Sequence, residues 1–223
     1  MIRELITEID NQTIDVLGGL EEQAILSVIE TDYSKGNEMY LNSIKRKGKE
    51  LGVTVDHGEP GVKKLSRNVL ILKPEAMEEM YSYIRLKEQL RYMDVEGKNQ
   101  EPTINAAALT IDKIAFLENR SDLHILIINR SEDLGRPLAD ELLDRDYTVT
   151  IAHSKSNMSD YRNYDVVVTA TGSNQDDVYS KNKDNWWVDI GYDITPDKDN
   201  EKLVQNIGRL TTSYLFNEVA KRY

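Results

Sequence analysis

His124-Ile125-Leu126-Ile127-Ile128, then Asn129-Arg130-Ser131-Glu132-Asp133-Leu134-Gly135, then Arg136-Pro137-Leu138 onward to Tyr147-Thr148-Val149-Thr150-Ile151-Ala152-His153-Ser154, reads as strand, turn, helix and strand. Ile125 to Ile128 is short enough for a buried parallel strand, and the polar and small residues from Asn129 to Gly135 break it. Leu134, Leu138, Leu142 and Leu143 are spaced to cover one helix face, and Tyr147 to Ala152 reads as a second buried strand. Such a βαβ crossover of about thirty residues is right-handed. Its first turn and its helix N-terminus therefore stand at the ligand-binding edge of a sheet.

Upstream, Ile2, Leu5, Ile6, Ile9 and Ile14 recur at helical spacing up to Gly18-Gly19. Ala24 to Ile29 reads as a buried strand, Asn37 to Leu51 as a helix stopped at Gly52, Val53 to Val55 as a short strand, and Asp56 to Ser66 as a polar loop. Asn68 to Leu72 is the next strand, and the polar segment after residue 83 holds the turn Asp94-Val95-Glu96-Gly97. A linker helix runs from Thr103 to about Leu117, with Thr103 as an N-cap after Pro102. Downstream, Val166 to Ala170, Trp186 to Ile190 and Leu203 to Gln205 read as strands, and Thr211 to Tyr223 as a final helix packing back on the first domain. The pattern implies an α/β fold whose linker helix carries the chain from a first α/β unit to a second, the second built on a parallel sheet.

The 223 residues carry a formal net charge of −11, with 39% hydrophobic and 30% charged residues. An acidic chain is a poor match for a phosphate backbone, so no nucleic-acid partner is expected. The absence of cysteine excludes disulfides and a thiolate nucleophile, and the three histidines, His57, His124 and His153, show no metal spacing. No apolar run approaches the roughly twenty residues of a membrane span, and the start Met1-Ile2-Arg3-Glu4 lacks a signal-peptide pattern. The expectation is a cytoplasmic protein without a membrane partner.

Several motifs in order carry a family resemblance: the helix around Tyr40, Lys73-Pro74, Asp94-Val95-Glu96-Gly97, Pro102-Thr103, Arg130-Ser131 with Gly135-Arg136-Pro137-Leu138, His153-Ser154-Lys155-Ser156, Ala170-Thr171-Gly172, and Asp189-Ile190-Gly191. The chain resembles the methylenetetrahydrofolate dehydrogenase/cyclohydrolase family. The resemblance implies two α/β domains with a cleft between them: a folate-type catalytic domain over residues 1–102, joined by the C-terminal helix 207–223, and a Rossmann-type dinucleotide-binding domain, a parallel sheet, over 103–206. It implies a homodimer, a folate-like substrate, and a cofactor site around Arg130, Ser131, Gly135, Arg136, Pro137, His153, Ser154, Thr171, Gly172 and Ile190. A guanidinium beside the turn suits a 2′-phosphate, which favours NADP, with NAD as the alternative.

The departures concern the chemistry. The family's catalytic lysine position, one helical turn after Tyr40, is Ile44, and its supporting glutamine position is Leu72. Neither side chain can carry or orient a proton. Lys45 is rotated by about 100 degrees around the helix, so Lys73, beside Leu72, is the candidate substitute amine, and it reaches the cleft only if the strand breaks before Pro74. Tyr40, Lys73 and Glu96 are thus the candidate catalytic residues, Glu96 aligning with the family's pterin-binding aspartate. Asn129 replaces the first glycine of the dinucleotide turn, adding bulk near the pyrophosphate. The closing loop is reduced to Val204 to Thr211, keeping Gly208 and Thr211.

Plainer readings stand beside these. Tyr40 is either a ring that stacks on the substrate or packing on an amphipathic helix. Arg130 and Ser131 are either cofactor contacts or turn residues that cap a helix, and His153 fits a strand-end residue bonded locally. Two functions follow: an NADP-dependent dehydrogenase of the methylenetetrahydrofolate type without cyclohydrolase activity, or a non-catalytic family member that binds a dinucleotide or another ligand.

Overall fold

In the computed structural model the fold is described for residues 1–30, 35–58, 68–72, 102–132, 134–153, 156 and 161–223. The chain divides into two compact α/β units, Thr7–Gly97 with Thr212–Tyr223, and Met1–Ile6 with Lys98–Thr211.

The first of these units follows helix α1 (Ile2–Gly18) with β1 (Ile25–Glu30), α2 (Lys35–Leu51), β2 (Thr54–Gly58) and β3 (Asn68–Leu72). The three strands are parallel in the order β2-β1-β3, with Val28 opposite His57 on one side and Leu70 on the other. β2 extends to Gly58, into the polar segment expected to be a loop. Pairing with β1 from Ile25 to Ile29 organises this backbone, a contribution invisible to side-chain polarity. Gly52, at φ 77, ends α2, and the Val53 N–H reaches back to the Gly48 carbonyl at 2.8 Å, the six-residue closure that a left-handed glycine permits. At Gly48 a β-carbon would sit 2.6 Å from Val55 Cγ2, so α2 lies close against β2. The core joins Leu26, Val28, Leu41, Ile44 and Val53 to Leu215, Phe216 and Val219 of the C-terminal helix. The Tyr223 hydroxyl accepts the Ile25 N–H at 2.9 Å and donates to the Ile25 carbonyl at 3.2 Å, which fixes the end of the chain to the start of β1.

The other unit is built from α3 (Pro102–Glu118), β4 (His124–Ile128), α4 (Gly135–Asp144), β5 (Thr148–Ala152), β6 (Val166–Thr169), α5 (Asp176–Ser180), β7 (Trp186–Asp189) and β8 (Leu203–Val204). α6 (Ile207–Lys221) follows, its residues from Thr212 onward counted with the first unit. All five strands are parallel in the order β5-β4-β6-β7-β8. β4 and β6 are central and buried from Ile125 to Ile128 and from Val166 to Thr169. Continuous apolar runs are what a parallel sheet covered on both faces requires. Leu126, Val167 and Trp187 form a core with Tyr179 and Ile194, the Tyr179 ring standing edge-on to Trp187 at 5.7 Å.

β5 corrects the expectation of a second buried strand: it is the edge of the sheet, Ile151 is 42% exposed, and Ala152 alone of its residues is buried. Leu143 is likewise off the buried face of α4, which presents Leu138, Ala139 and Leu142 inward. α3 starts at Pro102, where a residue without an N–H suits the first turn. Its Ala106, Ala107 and Ala108 are wholly buried, small side chains that let neighbours approach closely. No helix of the described residues is long and apolar enough to cross a membrane.

Candidate functional site

The carboxyl ends of β4, β6 and β7 bring together three connections. After β4, the turn from Asn129 to Leu134 leads into α4. Gly135 is pressed against it so closely that a β-carbon there would lie 2.1 Å from the Asn129 carbonyl oxygen. Only glycine permits this approach of helix to strand. The Ser131 hydroxyl accepts the Leu134 N–H at 3.1 Å and the Gly135 N–H at 3.4 Å, and the Ser131 carbonyl accepts the Arg136 N–H at 3.0 Å. Ser131 therefore organises the front of the helix, as the capping reading required. Arg136 is exposed and pairs with Glu132 at 3.1 Å. Arg130 is also exposed and forms no ion pair among the described residues. Pro137 sits in the first turn of α4, half-buried, where its missing N–H costs nothing.

After β6, Thr171, Gly172 and Ser173 form a second loop, with Gly172 at φ 66. Its polar groups converge on Asp193, in the connection after β7. The buried Asp193 carboxylate accepts the Thr169 hydroxyl at 2.5 Å, the Thr171 N–H at 2.7 Å and hydroxyl at 2.9 Å, and the Ser173 N–H at 3.2 Å. Asp189, at the end of β7, accepts the N–H groups of Asp193 at 2.9 Å and Ile194 at 3.2 Å, and the Gln205 amide at 2.8 Å. Burial pushes the Asp189 carboxyl above the ordinary carboxylate range, opposed by these hydrogen bonds and reinforced by the Asp193 charge. Ile190, half-buried, follows directly, its N–H on the Thr169 carbonyl at 2.9 Å.

Beside these loops lies a cavity of about 540 Å³, lined among others by Ser173, Asn174, Tyr192, Lys198, Gln205 and Asn206. Its lining mixes hydroxyl, amide, ring and apolar groups, with Lys198 as its cation and the hydrogen-bonded Asp193 as its carboxylate. The volume is in the range of small-molecule sites. His153 follows β5, half-buried, its N–H on the Ser156 hydroxyl at 3.1 Å.

A dinucleotide needs a tight strand-to-helix turn, a cation for its phosphates and a cavity wall with polar donors. The Gly135 contact, the exposed Arg130 and the cavity supply these in turn, so the residues fit such a group. Sequence reasoning singled out Arg130, Ser131, Gly135, Arg136, Pro137, Thr171, Gly172 and Ile190, and all lie in or beside these connections. It missed Asp193 and Gln205. Nothing in the local pattern marks a carboxylate that binds residues twenty positions away.

The other candidate residues separate. Tyr40 is half-buried on α2 and packs against the core cluster of its own unit. Ile44 is 0% exposed inside that cluster, so its position faces neighbouring apolar side chains. Lys45 is exposed, as its rotation around the helix requires. Lys47 pairs with Asp10 at 2.8 Å and Glu50 at 3.3 Å. Leu72 ends β3, its backbone opposite Glu30. Lys73, Glu96 and Ser154 lie outside the described residues.

Residues 110–213 match the tetrahydrofolate dehydrogenase/cyclohydrolase NAD(P)-binding domain. The bifunctional protein FolD of Picrophilus torridus is 30% identical over 182 residues, covering 69% of this chain and 64% of that relative, just under two thirds of its length. The corresponding protein of Thermosipho africanus is 25% identical over 99% of this chain and 96% of its own. Among solved structures, the bifunctional 5,10-methylenetetrahydrofolate dehydrogenase/cyclohydrolase of Thermoplasma acidophilum shares the fold, with a TM-score of 0.66 at 19% identity, covering 98% of this chain and 95% of that one. With its parallel-sheet topology and these matches together, the chain is a divergent member of the tetrahydrofolate dehydrogenase/cyclohydrolase family, carrying that family's NAD(P)-binding domain.

Proposed function

We propose that the chain is an NADP-dependent oxidoreductase of the methylenetetrahydrofolate dehydrogenase type that has lost cyclohydrolase activity. The unit containing β4 to β8 binds the dinucleotide, and the unit containing β1 to β3 with the C-terminal helix takes the folate-like substrate. The observation that carries the reading is Arg130, an exposed guanidinium on a turn tight enough to require glycine at position 135. A guanidinium offers two parallel N–H donors to a phosphate, which favours the phosphorylated cofactor over NAD. A dinucleotide held by Arg130 and the turn before Gly135 would supply the hydride acceptor for the one-carbon bridge. Hydride transfer depends chiefly on orientation, which the loops tied by Asp193 supply. Water attack in the cyclohydrolase step needs a proton relay, and Ile44, sealed in the core, offers no amine. Tyr40, Lys73 and Glu96 remain the candidates on the substrate side, and Ser154 and His153 on the cofactor side.

The assembly in this reading is a homodimer. Among the described residues β5 is the edge strand of its sheet with Ile151 exposed, and Phe116, Leu117 and Leu143 are exposed on the helices of the same unit. The burial of Ile44 also favours a second reading, a family member that binds a dinucleotide without turnover. Absorbance of the purified chain with NADP and methylenetetrahydrofolate separates the two. Cofactor reduction without hydrolysis of the methenyl product is the expected result, and tight NADP binding with no reduction overturns the enzyme reading.

A further inference from the structure

In this sheet the chain turns back at β4: β5 lies on one side of it and β6 on the other. The carboxyl ends of β4 and β6 thus flank the topological switch point, the crevice in which open α/β sheets seat their ligands. Asn129 and Ala170 follow the last paired residues of these strands, Ile128 and Thr169. The Asn129 side chain reaches across, its Nδ2 donating to the Ala170 carbonyl at 2.7 Å. Its Oδ1 accepts the Ser131 N–H at 2.7 Å. The carboxamide is therefore bonded at both ends and spans the mouth of the crevice.

The same residue turns the local donors inward. The Ser131 N–H, which would face an anion above the turn, belongs to Asn129, while the Leu134 and Gly135 N–H groups belong to the Ser131 hydroxyl. An anion arriving here meets the Arg130 side chain, with the Ser131, Leu134 and Gly135 N–H groups already bonded, and it reaches the floor of the crevice only by breaking the two short hydrogen bonds of Asn129.

We propose that Asn129 is an affinity-limiting strap across the β4–β6 switch point, which lowers the affinity of the site for the diphosphate of a dinucleotide. This rests on the reading of the unit as a dinucleotide-binding domain. Removing the carboxamide frees the Ser131 N–H, opens the crevice and takes away the Asn129 Oδ1 side of the Gly135 contact, while the closer approach of Gly135 to the Asn129 carbonyl is kept.

The experiment is calorimetric titration of the full chain with NADP and with NAD, for the wild type and for Asn129→Gly, Asn129→Ala and Asn129→Asp. Each variant is checked for a cooperative unfolding transition. Breaking one or two neutral hydrogen bonds corresponds to binding about five- to tenfold tighter in the glycine and alanine variants. The aspartate variant, which cannot donate to Ala170 and adds a negative charge, binds more weakly than the wild type. Exchange of the Ser131 amide hydrogen, slow in the wild type, becomes fast in the glycine and alanine variants before ligand is added. If the folded glycine and alanine variants bind no tighter than a wild type that does bind, the strap is overturned and the dinucleotide reading stands. Binding by the variants but not by the wild type supports the strap and overturns the NADP-dependent enzyme. Absence of binding by every folded form overturns both. Alanine keeps a β-carbon and an ordinary backbone preference, so it decides the matter if the glycine variant fails to fold.

Discussion

Gly191 and Asp193 are fitted together without room for a side chain between them: a β-carbon on Gly191 would lie 2.7 Å from Asp193 Oδ1 and 3.1 Å from the Ala170 α-carbon. The buried carboxylate of Asp193 can gather Thr169, Thr171 and Ser173 because the chain two residues earlier has no side chain. Gly191→Ala is expected to cost about 1 to 3 kcal/mol through overpacking. Urea unfolding would register this as a lower midpoint at unchanged slope, and an unchanged midpoint would show that the loop relaxes freely.

Asp189 ties pH to stability. Burial raises its folded-state pKa above the unfolded value, so its contribution favours the fold below about pH 4 and is lost as pH rises through the raised pKa. The depressed carboxylates Asp176 and Asp197 act in the opposite sense, contributing above the unfolded pKa and losing that contribution as pH falls through the folded one. Both carboxylates are half-buried and still reached by water, so their influence is partly screened. The Asp189→Asn variant should gain stability relative to the wild type as pH is raised from about 4 to 7. Thermal unfolding of the two proteins across this range measures the difference, and a constant difference would refute the assignment.

Restoring an amine at position 44 should not restore proton chemistry. Ile44 is enclosed by Leu26, Leu41, Val53 and Phe216 of its core cluster. Ile44→Lys would bury an ammonium without a partner and is expected to destabilise the chain by about 3 to 5 kcal/mol. Ile44→Val removes one methylene and should cost about 1 kcal/mol. Chemical denaturation of both variants tests the contrast. A lysine variant as stable as the valine one, with cyclohydrolase activity gained, would mean that this position opens to substrate.

The homodimer proposed above depends on the β5 edge. Ile151→Lys places a charge on the exposed strand and should shift sedimentation toward the 25.6 kDa monomer, with the unfolding transition kept. An unchanged mass would move the interface elsewhere.

The sequence by itself determined which segments become buried strands. Ile125 to Ile128 and Val166 to Val168 are apolar at every position, and only the centre of a covered parallel sheet accepts that pattern. It also determined the tight turn, because a glycine six residues after Asn129 is the only residue that fits against that carbonyl. The family could be read there too, since motif order is a property of the chain. The tertiary structure alone decided which strand is the edge: Thr148 to Ala152 is as β-forming as its neighbours, and its exposure follows from strand order. It also decided the partners of Asn129, Asp189, Asp193 and Gln205. Their hydrogen bonds join residues brought together by the parallel sheet, and a bond across two strand ends leaves no periodicity in the chain that encodes it. The burial of Ile44 belongs to the same class, because a helix position becomes core only when a C-terminal helix supplies Phe216 to cover it.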